Sequence, residues 1–219
     1  MKSTLLRILN LIKKGELRFM VKGITKRILS KTEAFGLKRD LTIEFEVPNA
    51  QIDLLIRSYK ASDEMHFVAD LQNDGLMEAD IPTCYVATNT EDAPCYRQWL
   101  MGSEQNESIK AFWGQSFPEL KVDEALVESV FTIPAYRRKG IMPAALDRIS
   151  QKANGLGLRY VILFVELNNL PSLKGCHRSG FSPYVLRTER WFLFRRTIKF
   201  ESVPKALMAA YLEDVRCSK

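Results

Sequence analysis

Residues 124–142 read as an apolar run, a proline, a basic triplet, one glycine and then an amphipathic segment, and few folds accommodate that succession. Residues 125–133 are rich in β-branched and aromatic side chains, interrupted by Glu128, Ser129 and Thr132, which suits a strand buried on at least one face. Pro134 ends the strand, because it offers the ladder no donor and fixes φ. Beyond it Ile141, Ala144, Ala145, Ile149 and Ala153 recur at roughly helical spacing, and Pro143 is tolerated in the first turn. Arg137, Arg138 and Lys139 therefore stand at a helix start, where free amides and the positive end of the helix dipole converge. Cations oppose that dipole at a cost of a few tenths to ~1 kcal/mol each, which a bound anion would offset. The bland alternative is a solvated basic turn.

A second block follows the same plan. Residues 158–167 form another apolar run, then come Asn169, Ser172, a short helix, Gly180 and Phe181. Together the two blocks resemble the GNAT superfamily of N-acetyltransferases. Its acyl-CoA loop reads Gln or Arg, two residues, Gly, one residue, then Gly or Ala. Arg137 and Gly140 match it, and Met142 departs from it. In that family an Asn follows the next strand, a small residue comes three later and a Gly-Phe pair eleven and twelve later, the positions of Asn169, Ser172, Gly180 and Phe181. The resemblance covers roughly residues 56–194. It implies a mixed, mostly antiparallel α/β sheet flanked by helices, whose two central strands splay to admit acetyl-CoA. It further implies that the backbone of Phe131, Thr132 and Ile133 meets the pantetheine arm. The diphosphate would lie on Arg137, Arg138, Lys139, Gly140, Ile141, Met142 and Pro143, with Asn169 and Ser172 nearby.

Composition bounds the rest. The 219 residues are 46% hydrophobic with net charge +6, enough for one sizeable core. Residues 1–31 hold nine Lys or Arg against Glu16 alone, so the basic excess belongs to one arm. There Leu5, Ile8, Leu9, Ile12, Leu17, Val21, Ile24 and Ile28 recur at helical spacing. Residues 1–40 are thus expected to form a basic amphipathic helical extension, and residues 41–219 the acetyltransferase domain. The arm is too interrupted to span a bilayer and lacks the layout of a secretory signal. Docking on its own domain, on a second subunit in a homodimer, or on an anionic membrane surface all remain open, and nucleic acid is disfavoured. Cys84, Cys95, Cys176 and Cys217 lack the paired spacing of zinc ligands, so no metal site is expected. A cytoplasmic location, peripheral to the membrane if the arm docks there, is the expectation.

Other elements follow from pattern. Residues 41–47 alternate as a half-exposed strand, and residues 54–59 read as the first strand of the core. Ser62, Asp63 and Glu64 open a helix to about Leu71, followed by an acidic loop with Asp74, Glu78 and Asp80. Residues 83–88 and 95–101 form a hairpin, 103–113 a helix, 184–200 one or two long strands and 204–215 a closing helix.

The chemistry needs a base for the amine, a donor for the oxyanion and an acid for the departing thiolate. Glu128, an acid inside an apolar strand, is the candidate base, since burial raises a carboxyl pKa. Cys176 occupies the position where the resembled family commonly carries its tyrosine acid, and packing is its other reading. Trp99, Trp113, Tyr184 and His66 are candidates for the acceptor pocket, again beside ordinary packing roles. The acceptor is expected to be a small-molecule amine, most specifically the amino group of a nucleotide-linked amino sugar, because the overall layout resembles acetyltransferases of bacterial surface-polysaccharide assembly. The competing reading is a non-catalytic acyl-CoA-binding or membrane-surface partner protein that kept the loop and lost the acid and base.

Overall fold

The apolar runs become strands and the 3.6-residue patterns become helices. The computed structural model describes residues 25–67, 76, 81 and 83–216. Among these, eight strands form one sheet: β1 (Leu29–Asp40), β2 (Leu55–Ser58), β3 (Cys84–Thr88), β4 (Pro94–Gly102), β5 (Glu124–Thr132), β6 (Tyr160–Glu166), β7 (Ser182–Phe192) and β8 (Arg195–Glu201). The strand order is β2-β3-β4-β5-β6-β1-β7-β8, and neighbours are antiparallel except β5 and β6. Helices α1 (Asn106–Trp113), α2 (Ile141–Gly155), α3 (Leu170–Arg178) and α4 (Lys205–Arg216) pack on its faces. This is the mixed, mostly antiparallel α/β sheet that the sequence implied.

Alternation along the strands makes two cores. Val127, Leu163 and Tyr96 face the larger one, where Leu146 and Ile149 of α2, Leu173 of α3 and Tyr211 of α4 pack. Leu126, Ile162 and Trp99, of opposite parity on the same strands, face the smaller one, with Ile109 of α1 and Phe117. Burial of each large apolar side chain contributes about 1.5–3 kcal/mol. Helix α2 is tied down at its side, where the buried Arg39 of β1 meets Asp147 at 2.6 Å and Arg148 donates to the Leu54 carbonyl at 2.6 Å.

The N-terminal expectation is corrected. Residues 1–24, which hold most of the expected arm, lie outside the described residues, and residues 25–28 are helical. Residues 29–40 are not helix but strand β1, inserted between β6 and β7 with Ala34, Phe35 and Leu37 buried. The boundary expected after residue 40 therefore falls at the end of an inner strand. Gly36 fits there because a Cβ would stand 2.4 Å from Val185 and 2.8 Å from Phe164.

The strand expected over residues 41–47 is also absent. Asp40 stops the chain: its Oδ1 accepts from the Thr42 N–H at 3.0 Å and the Thr42 hydroxyl at 2.6 Å, an Asx-turn, while Arg159 holds Oδ2 at 2.8 Å. Phe45 instead covers Gly180, which has φ 81° and no Cβ to obstruct the ring. The helix opened by Ser62 is a 3-10 segment, Ala61–His66; its expected continuation and the acidic loop lie outside the described residues, apart from Phe67, which is described, and Leu76.

Candidate active site

The parallel ladder between β5 and β6 is short. It pairs Glu124, Ala125 and Leu126 with Tyr160, Val161 and Ile162, and beyond these the strands part. The edge of β5 that faces β6 is thereby released from Val127 onward. On the other edge, Trp99 pairs with Glu128 and Arg97 with Phe131, so Ser129 and Val130 oppose Gln98 alone. That is a β-bulge, and Ser129 takes the left-handed backbone it needs at φ 56°. The bulge bends the last residues of β5, where the Phe131 ring packs edge-on against Phe67 at 6.2 Å.

Where β5 ends, Pro134–Tyr136 forms one 3-10 turn, and the basic triplet follows. The Arg137 guanidinium folds back, donating from Nε to the Thr132 carbonyl at 3.1 Å and lying 5.8 Å from the Phe131 ring centre. Arg138 is exposed with φ 63°, and Lys139 Nζ lies 5.3 Å from the Tyr136 ring centre. Gly140 is the left-handed N-cap of α2 at φ 70°, and no side chain caps the first-turn amides. The first turn of α2 also carries no acid. A fifteen-residue helix thus presents an unneutralised positive end beside three cations, an arrangement suited to a diphosphate.

Met142, the departure from the resembled loop, is accommodated. Its side chain turns away onto α3, where a Cβ on Gly175 would stand 2.7 Å from the Met142 sulfur. Gly175 makes the room for it. Ser179 Oγ donates to the carbonyls of Pro143 at 3.1 Å and Gly175 at 2.9 Å, so the two helices are pinned at the same place. Asn169 caps α3 by accepting from the Ser172 N–H at 3.3 Å, giving both residues a structural role at the far wall of the gap.

Glu128 is half-buried on the face of the smaller core. Burial pushes its carboxyl up to about 7, against the opposing effects of Arg187 and of the Ser129 N–H, which donates to it. Arg187 comes from β7 and was not foreseen from sequence. It is fixed by donation from Nη1 to the Ser116 carbonyl at 2.8 Å and by the rings of Phe117 and Phe164 at 5.5 and 5.0 Å. No local signal marks it, because it acts on Glu128 from a strand far off in sequence and not adjacent to β5 in the sheet.

The other expected residues divide. Cys176 is 1% exposed in the larger core, and burial pushes its thiol to about 12. A thiol that retains its proton so strongly is a poor acid for a departing thiolate, so in this structure Cys176 packs. Trp99 is fully buried, donating from Nε1 to the Ile81 carbonyl at 3.2 Å, and is a core residue rather than a pocket wall. Tyr184 lies at the other end of β5, beside Lys38 and Tyr160 in a groove of about 430 Å³ that the parting of the strands does not reach. His66 is exposed at the end of its 3-10 turn. Trp113 stays on the Glu128 side, 5.4 Å edge-on to Phe117. The described residues hold no cluster of His, Cys, Asp or Glu fit for a metal ion, and no helix among them is long and apolar enough to cross a membrane.

The same architecture occurs in solved structures. A glucosamine N-acetyltransferase region of a fungal multi-domain β-N-acetylglucosaminidase aligns over 81% of this chain and 22% of its own length, with TM-score 0.54 and 16% identity. A Drosophila protein aligns over 81% of this chain and 57% of its own, with TM-score 0.54 and 12% identity. A GCN5-related N-acetyltransferase from Sphaerobacter thermophilus aligns over 82% of this chain and 57% of its own, with TM-score 0.51 and 13% identity. The chain therefore spans less than two thirds of the length of these structures. No curated protein matches the sequence. Residues 54–181, from just before β2 to the Phe181 that closes α3, match the model of the acetyltransferase (GNAT) family, and with more than half of its length inside that match the chain belongs to this family.

Proposed function

We propose that the chain is an acetyl-CoA-dependent N-acetyltransferase acting on a primary amine by direct attack. The observation that carries this reading is the parting of β5 and β6 after Leu126 and Ile162, opposite an uncapped, basic helix start at Gly140. Acetyl-CoA supplies the acyl thioester. The released edge of β5 offers backbone groups to an extended pantetheine arm, as a sheet edge does to an added strand. Arg138, Lys139 and the first amides of α2 hold the diphosphate.

Glu128 takes the proton that the amine must lose for its lone pair to reach the acyl carbon; such a base contributes typically about 10²–10⁴-fold. As the C–N bond forms, charge builds on the acyl oxygen, where a backbone N–H would donate to it, and its return to the acyl carbon breaks the C–S bond. The thiolate takes its proton from solvent. The acceptor we favour is a nucleotide-linked amino sugar, and the smaller amine glucosamine is the natural first member of a panel. Trp113, half-buried and backed by the core residue Phe117, gives that side of the gap a flat apolar wall against which a sugar or base ring would stack.

A thiol-release assay across amino sugars, nucleotide-linked amino sugars, polyamines and peptide N-termini tests the proposal. Turnover confined to amino sugars is the expected result. Tight acetyl-CoA binding without turnover on any amine would replace it with the non-catalytic reading, which the packing of Cys176 favours.

A further inference from the structure

Strands β7 and β8 are joined by Leu193 and Phe194 alone, and both take left-handed backbone, with φ 44° and 64°. Two-residue turns with both φ positive select Asn, Asp and Gly, since bulky side chains crowd the backbone there. Leucine and phenylalanine run against that preference. Their surroundings share the anomaly: Leu29 is 73% exposed, Phe192 62%, Leu193 61% and Phe194 59%. These form one patch, because Leu29 faces Phe192 across the ladder and the Leu193 N–H donates to the Ile28 carbonyl at 2.9 Å.

The patch wears a cationic collar of Lys26, Arg27, Arg190 and Arg195, all exposed. Residues 26–31 and 190–196 contain no acid. The carboxylates next in sequence, Glu33 and Glu189, are engaged by Lys31 at 2.8 Å and Arg196 at 2.7 Å. The basic residues 1–24 join the chain at this tip. A second copy docked on the same patch would set cations against cations. Apolar side chains ringed by Lys and Arg match instead the boundary between acyl chains and anionic headgroups.

We infer that the β7–β8 tip docks on anionic lipid bilayers, with Phe192, Leu193 and Phe194 inserted among the headgroups. The tip overhangs the end of the sheet where β5 gives way to the basic turn. Strand β6 ends opposite Ala34, and β1 runs on to Leu29, ~16 Å further at the rise of a strand. On the reading of the gap given above, docking turns its mouth toward the headgroups and suits an amine presented near that surface.

The test is co-sedimentation of the full chain with vesicles of phosphatidylcholine, alone or mixed with phosphatidylglycerol. Wild type is expected to pellet with the mixed vesicles and to be released by salt. The double variant L193N/F194G installs the residues that the turn prefers, so its melting temperature holds or rises, while vesicle affinity falls about tenfold or more. Acetyl-CoA affinity, measured by calorimetry, stays unchanged, which separates this outcome from failure of the acetyltransferase reading. Equal pelleting with neutral vesicles, or none with either, overturns the inference. So does undiminished binding by the variant, which would assign docking to residues 1–24. A tip variant altered in oligomeric mass but not in vesicle binding would make the tip a protein contact instead.

Discussion

Gly140 approaches Asn49 so closely that a Cβ on the glycine would stand 3.3 Å from the asparagine carbonyl oxygen. The contact is held by the neighbouring hydrogen bond from the Gln51 N–H to the Lys139 carbonyl at 2.9 Å. With φ at 70°, a side chain here meets both crowding and backbone strain. Gly140→Ala is expected to cost about 1–3 kcal/mol, read as a fall in Tm of several degrees, and to raise the KM for acetyl-CoA with a smaller effect on kcat. An unchanged KM would mean that the start of α2 does not hold the diphosphate.

Glu128 gives two opposite readouts. As a base it works deprotonated, so kcat/KM should rise with pH through about 7, and Glu128→Gln should lose that limb with a fall in kcat of about 10²-fold or more. For stability the sign reverses. Between the usual 4.5 and about 7 the folded state binds more protons than the unfolded one, so stability falls as pH rises through that window. Glu128→Gln should therefore melt higher than wild type at pH 8, with the gap closing near pH 4. Parallel melting curves at both pH values would show that the carboxyl is not perturbed by burial.

Arg187 lowers the Glu128 pKa from β7. Replacing it with Met keeps the apolar stem and removes the charge, so the rising limb of the pH profile should move above 7. A merely structural role, through the Ser116 carbonyl, would lower Tm and leave the limb in place.

Gly175 gives Met142 its space on α3. Gly175→Val fills that space, at about 1–3 kcal/mol of overpacking, and drives the Met142 side chain back toward the basic turn. The expected signature is a raised KM for acetyl-CoA that the double change Gly175→Val with Met142→Ala restores. Failure of the second change to restore KM would place the Met142 side chain elsewhere.

What could be read from sequence was what local chemistry marks. Pro134 and Gly140 punctuate the strand, turn and helix without help from the rest of the chain, and Glu128 stands out as an acid in an apolar run. Strand β1 was hidden because both of its partners lie 120 or more residues away, and because Gly36, which suggests a loop, is required by the close approach of Phe164 and Val185. The alternation in residues 41–47 misled because no neighbouring strand takes it up once Asp40 has turned the chain. Aromatic composition could not say which face Trp99 takes or to which end of β5 Tyr184 belongs; both follow from register.

The insertion of β1 between β6 and β7 also sets a timetable. Leu29–Asp40 leaves the ribosome long before Tyr160–Glu166 and Ser182–Phe192, the strands that flank it. At roughly 5–20 residues per second, the nascent segment waits on the order of ten seconds for its partners. During that interval Phe35 and Leu37 have no sheet to enter, and the half of the sheet beyond β5 assembles only once β6 and β7 have emerged.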